Sequence, residues 1–323
     1  MCPVFGAHYK FYKSIVITHP FNVLWFLMAI LVTGASGLIG YQAVLSLAEK
    51  GLDVVAAFWK NKSDFKYVSS VQLDLSVAET NKTLCQLEPE AIVHCAAAIP
   101  PKWRHSNPEE LAWYNNQIDR TVIDYCKNHH DCSLIYISGT SLYGSVKEPV
   151  DEDQPIFPNG PYLVQKAESE KQIICLSNHV IVLRVSTPYG IRQNVDIVLT
   201  IFVRNALANK PLYYFGSGQR TQDFISVKDI GGAITLAIKL KDVRGIFNIA
   251  SGNPMSMKGL AELVVSSIPN CKSTVSASGT PDPQENFRAN YSIKRAMEVL
   301  GWSPKLQLKQ GIIELAQFIK VMA

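Results

Sequence analysis

The sequence predicts an α/β fold built on a doubly wound parallel sheet, and three observations carry that reading. Ile30-Leu31-Val32 is a short apolar run that leads into Thr33-Gly34-Ala35-Ser36-Gly37-Leu38-Ile39-Gly40, with glycine at every third position and a helical pattern from Tyr41 onward. Apolar runs of strand length then alternate with stretches of helical periodicity, the pattern of βαβ units. Hydroxyl side chains cluster in Ser138-Gly139-Thr140-Ser141, just past the apolar run Leu134-Ile135-Tyr136-Ile137. That is the carboxyl edge of the sheet, where open α/β sheets bind ligands.

The glycine turn comes first in the chain and sets the rest. Glycine at these positions permits a tight turn, close backbone approach to a pyrophosphate, and close packing of helix on strand. The helix that follows aims its free N–H groups and the positive end of its dipole at the phosphates. Gly34, Ser36, Gly37, Leu38, Ile39 and Gly40 are therefore the expected phosphate-side contacts of a Rossmann-type domain. Residues 54–59 form the second buried strand, and no acid stands at its carboxyl end to hold ribose hydroxyls. Asp53 lies at the other end, while Lys60 and Lys62 follow the strand. Two cations there suit a 2′-phosphate, so NADP is preferred to NAD.

Residues 71–75 make a third strand, with Asp74 and Leu75 expected at the adenine. Residues 91–98 make a fourth, whose Ala96, Ala97 and Ala98 let the backbone pass close to a dinucleotide; His94 within it reads as a satisfied core histidine. The pattern at 109–127 is helical and carries Asn116, a further expected cofactor contact. Past the hydroxyl cluster, Pro161-Tyr162-Leu163-Val164-Gln165-Lys166 opens another helix, proline being acceptable in its first turn. Tyr162 and Lys166 are one turn apart on one face. A free tyrosine titrates near pH ~10, too high for an efficient base at neutrality. A neighbouring ammonium favours the phenolate and makes the pair a candidate acid/base.

Composition narrows the function classes. The 323 residues, 47% hydrophobic and 18% charged, suffice for one large domain or two ordinary ones with a sizeable core. A net charge of +4, dispersed and without a basic, aromatic-studded stripe, implies no nucleic-acid partner. Seven cysteines, an odd number without regular spacing, imply a reducing, cytoplasmic setting and no disulfide framework. Cys126, His129, His130 and Cys132 sit together, but no second ligand pair follows at zinc-finger spacing, and no metal is expected. Residues 14–32 carry no formal charge and approach the length of a membrane span. Their last residues are the first strand, so 1–27 is read as an extension outside the fold, with a membrane anchor as the lesser alternative.

Taken together and in order, these pieces resemble the extended short-chain dehydrogenase/reductases, the group of nucleotide-sugar epimerases, dehydratases and reductases. The resemblance runs from Ile30 to the C-terminal helix. It rests on Thr33-Gly34-x-x-Gly37-x-x-Gly40, the 138–144 stretch, Tyr162-x-x-x-Lys166 and Leu183-Arg184-Val185-Ser186-Thr187-Pro188-Tyr189-Gly190. Gly216-Ser217-Gly218, Asp223-Phe224-Ile225-Ser226-Val227-Lys228-Asp229, Asn248-Ile249-Ala250-Ser251-Gly252 and Leu300-Gly301-Trp302-Ser303-Pro304 complete it.

The resemblance implies that Tyr162 is the acid/base, that Lys166 holds the nicotinamide ribose, and that Pro188 lines the nicotinamide. It further implies a dinucleotide-binding domain over 28–190, to which 223–250 returns, and a smaller substrate-binding domain from 191–222 and 251–323. A homodimer through the helices at 109–127 and 162–176 is also implied. The sequence departs from the family at three places. The usual catalytic Ser or Thr is Gly139, leaving Thr140, Ser141 or Ser138 to supply the hydroxyl. Gln222 stands where an arginine usually grips the diphosphate, with Arg220 two residues earlier. A second arginine is missing around 279–283, and Arg288 is nearby but displaced; Arg220 and Arg288 remain the candidate substrate contacts.

The expected function is an NAD(P)-dependent sugar-nucleotide epimerase or 4-keto-reductase acting on a small-molecule nucleotide sugar. A dehydratase is less favoured, because Thr140 and Ser141 replace the acidic pair of those enzymes. The alternatives are an NADP-dependent reductase of a non-nucleotide ketone and a non-catalytic dinucleotide sensor.

Overall fold

The computed structural model describes residues 29–99, 107–192 and 196–322. The extension at 1–27, and with it the question of a membrane anchor, lies outside the described residues. In chain order the elements of the first half are β1 (Ile30–Thr33), α1 (Leu38–Ala48), β2 (Val54–Phe58), β3 (Ser69–Gln72), α2 (Thr80–Leu87), β4 (Ala91–His94), α3 (Pro108–Asn128), β5 (Ser133–Gly139), α4 (Pro161–Ile174) and β6 (Val180–Val185). The second half adds β7 (Thr187–Tyr189), α5 (Val198–Leu207), β8 (Leu212–Tyr214), β9 (Thr221–Gln222), β10 (Phe224–Ser226), α6 (Val227–Lys239), β11 (Gly245–Ile249), β12 (Met255–Ser256), α7 (Met257–Ser267), β13 (Val275–Ala277), α8 (Lys294–Val299) and α9 (Leu308–Met322).

The chain divides into two compact units. The first takes its described residues from Met1–Ser138, Pro158–Leu183 and Gly231–Ile246; the second from Gly139–Phe157, Arg184–Ile230 and Phe247–Ala323. The central sheet has seven strands in the order β11-β6-β5-β4-β1-β2-β3, and its pairings from β3 through β5 are parallel. Sequence order reverses between β1 and β4, the switch point at which such sheets open a crevice at their carboxyl ends. Leu31, Val55, Ile92, Leu134 and Val182 from five of these strands pack with Ile118, Val122 and Ile173 of the covering helices. Strands buried on both faces read as continuous apolar runs, which is why they were legible. In the second unit, Leu199, Phe202 and Val203 of α5 pack with Leu260 and Val264 of α7 and Ile312 and Leu315 of α9.

Element boundaries differ from the sequence expectation where local hydrogen bonding decides them. Helix α1 starts at Leu38 rather than Tyr41, because the Tyr41 N–H already bonds to the Gly37 carbonyl at 2.9 Å. The third strand ends at Gln72, so Asp74 and Leu75 lie in the turn beyond it. The fourth ends at His94, because the N–H and C=O of Ala98 turn to the Asn115 side chain at 2.8 and 2.9 Å. Among the described residues no helix is long and apolar enough to cross a membrane.

Two glycines of the turn are dictated by space. Gly34 has φ +64, and a Cβ there would meet the Ala96 backbone at 2.8 Å; a Cβ on Gly40 would meet the Gly34 carbonyl oxygen at 2.3 Å. Replacing Gly34 by alanine therefore has to strain φ and push β1 from β4. Gly34→Ala should lower the unfolding free energy by roughly 1–3 kcal/mol, read as a lower urea midpoint at unchanged slope.

Candidate active site

Helix α4 starts after Gly160, whose φ of 86 only glycine takes easily, and Pro161 occupies its first turn. Tyr162 is then half-buried in the first turn, and Lys166, one turn on, is 5% exposed. The Lys166 ammonium donates to the Tyr136 hydroxyl at 2.7 Å and lies 3.7 Å from Asp119 Oδ2. The Tyr136 hydroxyl donates to Asp119 Oδ2 at 2.6 Å, and Gln165 Nε2 donates to the same oxygen at 2.8 Å. The other carboxylate oxygen meets His94 Nε2 at 3.0 Å. His94 Nδ1 in turn meets the Thr33 hydroxyl at 2.7 Å, and that hydroxyl accepts from the Ala96 N–H at 3.3 Å.

One buried chain of polar contacts thus links the residue before the glycine turn to the lysine of α4. Thr33, His94, Asp119 and Tyr136 are each at most 1% exposed. Burial pushes the Asp119 carboxyl up, but Lys166, His94 and Tyr136 outweigh it and hold the group below the usual carboxylate range. Burial, reinforced by the Asp119 carboxylate, raises the Tyr136 phenol well above its ordinary value. Burial also pushes the Cys95 thiol up to about 12, against the pull of Lys166.

Sequence reasoning missed Asp119, Tyr136 and Gln165. The signal was a carboxylate on the apolar face of α3, flanked by Ile118, Val122, Ile123 and Cys126, all buried. A charge at such a position is rare unless paired. Asn115, also buried on α3, clamps Ala98, and the expected Asn116 lies half-buried beside it. His94 is a core histidine with both ring nitrogens partnered.

The three candidate hydroxyls part company. Ser138 is buried on β5, two residues past Tyr136 and so on the same strand face, and its hydroxyl has no hydrogen-bond partner among the described residues. Thr140 is buried and bonded to Tyr291, and Ser141 is exposed. Gly139 is extended, with φ −140 and ψ 144.

At the end of β2, Lys60 Nζ lies 3.7 Å over the Trp59 ring, and Lys62 is exposed. The Asp74 carboxylate accepts from the Ser76 N–H at 3.0 Å, and the carbonyl of Leu75 accepts from the Thr121 hydroxyl at 2.8 Å. Ser36, Gly37, Leu38 and Ile39 are half-buried around the start of α1, and Ala97 lies just beyond β4.

In the second unit, Pro188 is half-buried in β7. Arg220 Nε donates to Asp282 Oδ2 at 2.8 Å, and its Nη1 donates to Gln284 Oε1 at 3.2 Å. Arg288 Nη1 donates to the carbonyls of Glu285 and Phe287, both at 2.9 Å. Of the metal-like cluster, His129 stacks on Tyr125 with centroids 4.0 Å apart, and His130 Nδ1 meets Ser177 Oγ at 2.9 Å. Among the described residues no group of three or more metal-donor side chains comes together.

Comparison with known proteins establishes the family. The model of the NAD dependent epimerase/dehydratase family matches residues 30–250, and the chain belongs to that family. A putative UDP-glucose 4-epimerase of Methanocaldococcus jannaschii is 29% identical over 304 residues, covering 90% of this chain and 98% of the relative. The dTDP-4-dehydro-6-deoxyglucose reductase of Escherichia coli is 26% identical, covering 90% of this chain and 97% of the relative. Among solved structures, the UDP-glucose 4-epimerase of Thermus thermophilus in complex with NAD superposes with a TM-score of 0.78 at 23% identity, covering 92% of this chain and 100% of that one.

The family's dinucleotide fits the residues present. Gly34 and Gly40 keep side chains away from the turn, and α1 opens at Gly37 with no side-chain cap on its N–H groups.

A carboxyl whose folded pKa lies below its unfolded value stabilises the fold above the unfolded value of about 4, and that stability is lost as pH falls. Asp119→Asn should therefore flatten the loss of unfolding free energy between pH 5 and pH 3, measured by urea denaturation at each pH.

Proposed function

We infer that this chain transfers a hydride at a sugar carbon of a nucleotide sugar, as an epimerase first and a 4-keto-reductase second, with Tyr162 as acid/base. The observation that carries the reading is the pair Tyr162 and Lys166 on one face of α4, with Lys166 buried against an opposite charge. A free Tyr–Lys spacing is common on surface helices; a buried, charge-paired lysine beside the tyrosine is not.

Gly34, Ser36, Gly37, Leu38, Ile39 and Gly40 would hold the pyrophosphate, Asp74 and Leu75 the adenine, and Ala96, Ala97, Ala98 and Asn116 the stretch between. Lys166 would hold the nicotinamide ribose and favour the Tyr162 phenolate. The bound nicotinamide supplies the hydride acceptor and donor. Tyr162 takes the hydroxyl proton as the carbon is oxidised and returns it when the carbonyl is reduced, so each turnover leaves its charge unchanged. Ser138 donates a hydrogen bond to the same oxygen; its buried, unpartnered hydroxyl favours it over Thr140 and Ser141.

NADP preference is supported by the lack of an acid at the end of β2 and by Lys60 and Lys62 there. The relatives point the other way, since the solved Thermus thermophilus epimerase is a complex with NAD. Denaturing the purified protein and identifying any released nucleotide tests both. Retained NAD supports an epimerase and ends the NADP reading; an empty site that binds NADPH tighter than NADH supports a reductase.

An NADP-dependent reductase of a non-nucleotide ketone is the alternative, favoured by Arg220 being engaged by Asp282 and Gln284. A homodimer through α3 and α4 is supported by Trp113 and Val164, which stand 61% and 41% exposed on those helices.

Tyr162→Phe should lower kcat by roughly 10²- to 10⁴-fold while leaving nucleotide binding in place; undiminished turnover would remove the catalytic role. Ser138→Ala should lower kcat, and Gly139→Ser should partly restore it in that background, measured by steady-state assay. The extended backbone at Gly139 accepts a side chain, whose Cβ would come no closer than 3.2 Å to the Ser141 hydroxyl.

A further inference from the structure

We propose that Asp119 is a positioning residue, the counter-ion that keeps Lys166 charged and in place. The proposal rests on the reading of Tyr162 and Lys166 just given. An ammonium taken out of water loses most of its solvation and sheds its proton unless an opposite charge compensates. Lys166 is 5% exposed, and the titratable groups nearest it in space or along its own helix come from four stretches of the chain. Cys95 lies just past β4, α3 supplies Asp119 with His94 of β4 on its other oxygen, and β5 supplies Tyr136. Helix α4 itself supplies Tyr162 and, one turn further on, Glu170. The Cys95 thiol and the Tyr136 phenol both keep their protons at neutral pH, raised by burial. Among the described residues Asp119 lies within ion-pair reach of Lys166 Nζ, at 3.7 Å, with the Tyr136 hydroxyl bridging at 2.7 and 2.6 Å.

Asp119 is itself fixed on every side. Gln165, Tyr136 and His94 all meet its two oxygens, and the Thr33 hydroxyl, which accepts from the Ala96 N–H, holds the far edge of the His94 ring. Thr33 has one hydroxyl proton and already accepts from Ala96. Giving that proton to His94 Nδ1 leaves Nε2–H for Asp119, so Thr33, His94 and Asp119 are matched donor to acceptor along the chain of contacts. The same contacts begin beside Gly34, so the residues placed at the pyrophosphate and at the nicotinamide ribose share one rigid polar support. A merely structural network would satisfy its hydrogen bonds without a full charge pair beneath the tyrosine. A buried charge pair is weak as a source of stability, and its use lies in fixing charge and geometry.

The test is the charge of Lys166 itself. In protein labelled with ¹³C,¹⁵N-lysine, the Lys166 resonance is assigned by its loss in Lys166→Met and titrated in the native chain and in Asp119→Asn. Lys166 should lose its proton at lower pH in Asp119→Asn. In the oxidation direction the acid limb of the kcat profile should move to higher pH, each unit costing about tenfold at a fixed pH on that limb. An unmoved Lys166 titration overturns the proposal. So does an acid limb that moves down, which is what a lysine still charged after losing its neighbour would give. Glu170→Gln is the comparison, and an equal effect there also overturns the assignment to Asp119.

If Asp119→Asn does not fold, the Asp119→Asn/Lys166→Met double variant decides. A folded double supports the pairing, and an unfolded one makes Asp119 structural only. The titration does not need activity, so a shifted Lys166 with a fully active Tyr162→Phe would sink the catalytic reading and leave the counter-ion standing.

Discussion

A negative charge in a hydrophobic core is the constraint on which the first unit of this protein is organised. Asp119 lies on the inner face of α3 and cannot reach water, so its neighbours must neutralise and hydrogen-bond it in place. Those neighbours come from β4, β5 and α4, and through His94 the network continues to Thr33 at the end of β1. The elements are thereby held in register by directional contacts as well as by apolar packing. Apolar contact between α3 and the sheet tolerates sliding by fractions of an ångström; a shared carboxylate with four polar neighbours does not. The position of Lys166, and hence of the face on which Tyr162 stands, follows from that constraint.

The second unit answers a different electrostatic demand. Arg220 is drawn into an ion pair with Asp282 and a hydrogen bond to Gln284, and Arg288 turns its guanidinium onto backbone carbonyls. Both arginines are thus already partnered by their own chain. A diphosphate that recruits Arg220 has to displace a carboxylate, and the free energy of doing so is subtracted from binding. Asp282 and Gln284 therefore set the cost of freeing that guanidinium.

The strands were legible because a sheet covered on both faces needs uninterrupted apolar runs, and 30–32, 54–58, 91–93 and 134–137 have them. The glycine turn was legible because its spacing answers a steric requirement met again in space, where Gly34 packs on Ala96 and Gly40 on Gly34. Tyr162 and Lys166 were legible because a helix of period 3.6 makes neighbours of residues four apart. The partners of Lys166 were not. Asp119 and Tyr136 lie 47 and 30 residues away in sequence, and no local pattern joins a carboxylate on one helix to a phenol on a strand. Element ends were misread for a related reason: Ala96 and Ala98 leave the sheet because Thr33 and Asn115 compete for their backbone groups.

The sequence by itself determined the fold class and the residues of the glycine turn, since each depends on local periodicity or on backbone sterics. It also showed glycine, at Gly139, within the hydroxyl-rich stretch 138–141. Only the tertiary structure decided which neighbouring hydroxyl is left without a partner, which charge lies under Lys166, and that Arg220 is already engaged. These are contacts between distant residues in a low-dielectric interior, where burial and pairing set the energy and proximity in sequence does not.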